Sequence, residues 1–125
     1  MSTIAYVSIP QAKHSQTFNP QALHNFSEML RQHISEILSG PGTGERINPE
    51  DVEIVIQKRN EPINTDAKDF DLQITIFAQQ FDFLIPLLHE CQVKLGARIG
   101  SFAWGRVRIT GSLRIHLTHS AFGTF

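Results

Sequence analysis

The sequence predicts an α/β domain, α+β in its layering: two successive β-α-β units forming a sheet of about four strands with two helices on one face. Three observations carry this. Short stretches alternate apolar and polar residues, two longer stretches repeat apolar residues at helical spacing, and they follow one another as β-α-β and then β-α-β. The chain has 125 residues, 41% hydrophobic and 18% charged, which suits one folded domain spanning 1–125. Its halves cover about 1–60 and 69–119.

The first strand runs from Ile4 to Ile9, with Pro10 at its end. A polar stretch, 11–18, leads to Asn19-Pro20, an N-cap followed by proline in the first helical position. Leu23, Phe26, Leu30, Ile34, Ile37 and Leu38 then recur as one helical face, and Gly40-Pro41 stops the helix. After a loop over 39–49, Val52, Ile54 and Ile56 mark a second strand. A polar loop from Lys58 to Lys68 separates it from a third, in which Phe70, Leu72, Ile74 and Ile76 alternate with Asp71, Gln73 and Thr75. Asp82 is positioned to cap a second helix over Phe83 to Leu95, which Gly96 closes. From Trp104 to Thr118 the alternation is nearly unbroken. Arg106, Arg108, Arg114 and His116 fall on one side, and Val107, Ile109, Leu113, Ile115 and Leu117 on the other. Fifteen extended residues would reach about 50 Å, too long for a domain whose radius of gyration is ~14 Å. The chain therefore either turns back at Gly111 or leaves its sheet to pair with a neighbouring subunit, and the second reading is preferred. Two architectures fit the whole string: a ferredoxin-like sandwich and a pair of intact β-α-β units.

Several function classes drop out. No apolar run is long enough to span a membrane, and residues 1–10 lack the pattern of a signal peptide. Cys91 is the only cysteine, so no internal disulfide forms and a reducing cytoplasm is the expected compartment. It sits among Leu87, Leu88 and Leu95 and reads as a core residue. The six histidines show no ligand-like spacing, so no metal and no cofactor is expected. Gly40 to Gly44 follows a helix and precedes a strand, the reverse of a phosphate loop.

Charge is the uneven feature. The net charge of -1 hides +1 over the first 27 residues, -7 over residues 28–90 and +5 over residues 91–125. Like charges lined along one strand face repel and need an offset. It can come from acids such as Glu53, Asp69 or Asp71 of the same or a neighbouring subunit, or from an anionic ligand held by arginine forks. Arg106, Arg108 and Arg114 are the candidate ligand-binding residues, and His116 beside them is the candidate for proton transfer. The basic stretch is short and carries no nucleic-acid-binding motif, which argues against nucleic acid.

The first half places a strand, an amphipathic helix and then Asn48-Pro49-Glu50-Asp51 leading into Val52-Glu53-Ile54-Val55-Ile56. This plan, repeated over the chain, resembles the tautomerase superfamily, including its macrophage migration inhibitory factor and carboxymethyl-hydroxymuconate isomerase groups. The resemblance implies a homotrimer, an N-terminal proline amine as acid and base, and arginines that bind a substrate carboxylate. Here Ser2 stands where that proline would be. If Met1 is removed Ser2 offers a primary amine of ordinary pKa about 7.7–8; if Met1 stays, that amine is displaced. The expected activity is thus isomerase-like without the proline, with Ser2 and His116 as catalytic candidates and a small carboxylate as ligand. The alternative is a non-enzymatic oligomerisation or ligand-sensing module.

Overall fold

A computed structural model describes residues 3–11, 14–40, 46–59, 71–79 and 84–118, the side chains of Gln79 and Thr118 excepted. Ser2, Asp69, Phe70, the Asp82 cap and the C-terminal tail lie outside these residues. The element order is β1 (Thr3–Pro10), α1 (Pro20–Leu38), a 3-10 turn (Pro49–Asp51), β2 (Val52–Arg59), β3 (Leu72–Gln79), α2 (Leu88–Gly100) and β4 (Gly111–Thr118).

The four strands form one mixed sheet in the order β2-β1-β3-β4. β1 runs parallel to β2, with Thr3 opposite Val52. β3 runs parallel to β4, with Leu72 opposite Gly111. The units meet along an antiparallel β1–β3 seam, with Val7 opposite Ile74. In a ferredoxin-like sandwich each β-α-β unit is split by a strand of the other. Here each strand pairs directly with the next of its own unit, so that alternative is excluded.

Alternation sorts the sheet into two faces. Ala5, Val7, Ile9, Ile74, Ile76 and Ala78 are buried, and they share one core with Phe26, Leu30, Ile34 and Leu38 of α1 and Cys91 and Leu95 of α2. Both helices therefore cover this face. Burial pushes the Cys91 thiol up from its ordinary pKa, with Lys94 opposing and Glu90 assisting that shift. The other face carries Ile4, Tyr6, Ser8, Gln73, Thr75, Phe77, Arg114 and His116, and no described helix covers it.

α1 starts as predicted: the Asn19 side chain accepts from the Ala22 amide at 2.9 Å and Pro20 follows. Two expectations are corrected. α2 does not stop at Gly96, because its buried spine continues from Cys91 and Leu95 to the partly buried Ile99; it ends at Gly100. Nor is Trp104 to Thr118 one strand, a hairpin or an arm reaching a neighbour. Gly105 adopts a left-handed backbone (φ 81), residues 101–110 form a loop, and β4 begins at Gly111, paired with β3 of the same chain. No described helix is long and apolar enough to cross a membrane.

Candidate functional site

The loop over 101–110 and α2 enclose a cavity of about 580 Å³ above the first residues of β3 and β4. α2 contributes Gly96 and Gly100, whose missing side chains leave it room: a Cβ at Gly96 would find only Leu113 Cδ2, at 4.0 Å, and one at Gly100 nothing within 4 Å. Ile74, Val93, Phe102, Trp104, Ile109 and Leu113 supply the apolar part of the wall, about half of its exposed surface. Among the described residues Arg108 is the one Arg or Lys of the lining, joined by the exposed His89 and by Gln92, Thr110 and Ser112. A recess that sets a few placed polar groups among apolar side chains can hold a small molecule.

The back of the recess is aromatic. Trp104 packs against Phe18 (ring centroids 5.1 Å apart), Phe26 (5.0 Å) and Phe102 (4.8 Å). Phe18 in turn meets His14 edge-on at 6.2 Å. Beside this cluster lies a buried polar group that the sequence reading did not single out as functional. The Asp71 carboxylate, 6% exposed, accepts through Oδ2 from the Thr110 amide and hydroxyl, each at 3.2 Å, while its Oδ1 lies 3.4 Å from His14 Nε2. Arg59 donates to the Asp71 carbonyl (3.0 Å) and to the Ser8 carbonyl (2.8 Å). His14 itself has φ 59, a left-handed conformation uncommon for a residue with a side chain. Asp71 immediately precedes β3, whose first residue, Leu72, lies opposite Gly111 of β4.

The structure divides the predicted arginines. Arg108 lines the cavity, and Arg106 sits exposed on the same loop, outside the lining. Arg114 and His116 lie on the helix-free face of β4, opposite to Leu113 and Ile115. There His116 stacks on Phe77 (5.1 Å, 15°), and Phe77 meets Tyr6 edge-on at 5.8 Å. The expectation that all four share one strand face therefore holds only for Arg114 and His116. None of the three arginines forms an ion pair with a described residue. No group of three or more His, Cys, Asp or Glu suited to a metal ion occurs among the described residues.

The arrangement of two intact β-α-β units joined by an antiparallel seam is similar to the fold of several solved structures, at low sequence identity. A fused 4-OT wild-type asymmetric trimer is 13% identical, with 97% of this chain and 91% of that chain covered and a TM-score of 0.54. FG41 malonate semialdehyde decarboxylase inhibited by 3-bromopropiolate is 10% identical over 97% and 91%, also at 0.54. Native RhCC from Rhodococcus jostii RHA1 is 13% identical over 93% and 77%, at 0.50. No family model matches the chain and no curated protein matches its sequence.

Proposed function

We propose that the chain binds a small carboxylate in the cavity between α2 and the 101–110 loop, as an isomerase-like protein on a tautomerase-type fold. The observation that supports this reading is the placement of Arg108 in a recess that also presents apolar side chains such as Val93, Trp104, Ile109 and Leu113. Its guanidinium offers a planar, permanently charged fork to a carboxylate, and the apolar wall takes the rest of the ligand. We propose a homo-oligomer, a trimer as in the fused 4-OT neighbour, because Tyr6, the 36% exposed Phe77 and His116 form an aromatic strip on the helix-free face. In such an assembly Arg106, Arg114, His116 and the Ser2 amine serve sites shared with a neighbouring copy.

The test is thermal stabilisation by a series of 2-oxo acids: pyruvate, 2-oxobutyrate and 2-oxohexanoate. A ligand at a hundred times its Kd adds about 2.7 kcal/mol of stability. Arg108→Ala should abolish that gain while changing the unliganded protein by no more than about 0.5 kcal/mol. No stabilisation across the series, or an unchanged gain in Arg108→Ala, rejects the reading.

One observation favours binding without turnover. His116 lies across the sheet from the cavity, so within a single chain it does not meet a ligand held by Arg108. Stabilisation by a 2-oxo acid with no keto–enol exchange of its α-protons in deuterated solvent would mark the protein as a ligand-sensing module.

A further inference from the structure

The stretch that carries Arg108 has little burial of its own. Gly105, Arg106, Val107 and Arg108 are all exposed, and Gly105 has a left-handed backbone that resists most side chains. What locates this stretch is its two attachments. At the start, the Ser101 and Phe102 amides donate to the Ala97 and Ile99 carbonyls, continuing α2. At the end, everything converges on Thr110. Its carbonyl accepts from the Leu72 amide at 2.9 Å, its amide and hydroxyl donate to Asp71 Oδ2, and its hydroxyl accepts from the Asp71 amide at 3.3 Å.

We propose that Asp71 is the positioning residue of the cavity: by clasping Thr110 it fixes the 101–110 loop and so places Arg108 and Trp104 on the ligand. This rests on the carboxylate-binding reading above. A buried carboxylate is costly unless well hydrogen-bonded, and this one is bonded to the loop itself. Through its carboxylate and, for Arg59, its backbone carbonyl, Asp71 also draws together segments that are remote in sequence. His14 comes from the stretch before α1, Arg59 from the end of β2 and Thr110 from the entrance of β4. A second route leads to the same loop, since His14 meets Phe18 and Phe18 meets Trp104. Backbone pairing alone does not perform this task, because the Thr110 amide bonds to the Asp71 side chain.

The chain's single tryptophan is Trp104, so its fluorescence reports on the loop without any ligand. Asp71→Asn keeps the shape but loses the charge, and Thr110→Val keeps the shape but loses the hydroxyl. Each should raise acrylamide quenching of Trp104 about two-fold or more and shift its emission to the red, at temperatures where far-ultraviolet circular dichroism matches that of the unmodified protein. The double variant should quench no more than the stronger single variant, as expected for two halves of one contact. If Asp71→Asn fails to fold, Thr110→Val alone carries the test. Quenching unchanged in the folded variants, or single effects that simply add, overturns the proposal.

A second arm uses whichever of the three 2-oxo acids stabilises the unmodified protein most. Asp71→Asn should weaken its binding about ten-fold or more, whereas Arg108→Ala should lose binding with Trp104 quenching unchanged. Unweakened binding in a folded Asp71→Asn variant also overturns the proposal. Failure of every acid to bind the unmodified protein rejects the carboxylate reading instead, and is distinguishable because the quenching arm uses no ligand.

Discussion

The two β-α-β units share a plan but cover their strands differently. α1 has 19 residues, a side-chain cap and a spine of Phe26, Leu30, Ile34 and Leu38 without solvent exposure. α2 has 13 residues, no side-chain cap at Leu87, and only Cys91 and Leu95 buried. The connection into β2 ends in the 3-10 turn Pro49–Asp51, whereas the connection into β4 is a loop over 101–110 that bears the exposed Arg106 and Arg108. One repeat is filled and serves as a foundation; the other is thinly covered, and the space left over is the cavity. The same scaffold thus yields stability in one half and a recess in the other through helix length and glycine placement.

Four substitutions test this contrast. The largest effect belongs to the foundation: Leu30→Ala should cost about 3 kcal/mol in chemical denaturation, against about 1 kcal/mol for the half-exposed cavity residue Leu113→Ala. Similar losses at both positions would remove the distinction. Next, Asn19→Ala should cost about 1 kcal/mol by removing the cap of α1, seen as a lower denaturant midpoint with unchanged slope. The smallest effect has the opposite sign. Gly96→Ala places a methyl in free space within α2 and should gain about 0.5–1 kcal/mol, seen as a raised Tm, while narrowing the recess and weakening 2-oxo acid binding.

The sequence discloses the fold unevenly, for physical reasons. β1, α1 and β3 are legible because Asn19-Pro20 and Gly40-Pro41 bracket the helix and the strand alternation is one-sided. The end of α2 is not, because a helical glycine is tolerated where apolar spacing persists through Leu95 and Ile99. The start of β4 is hidden by a loop whose alternation mimics a strand: Trp104 and Ile109 turn inward while Arg106 and Arg108 stay exposed. At the site, Arg108 can be found as a cation in an acid-free stretch. Asp71 cannot, since its alternation assigns it to the outer face with Gln73 and Thr75, and its partner Thr110 lies 39 residues away.

The strand register also determines how the chain must find its structure. Every ladder joins distant residues: Thr3 meets Val52, Ile4 meets Phe77, and Leu72 meets Gly111. No described strand pairs antiparallel with its immediate successor, so the sheet contains no hairpin from which it could zip. Each pairing must first close a long loop, whose entropy is lost before the contact repays it. Such a chain is expected among the slower-folding small proteins, with α1, the element stabilised most by local signals, as the natural surface on which the remote strands collect.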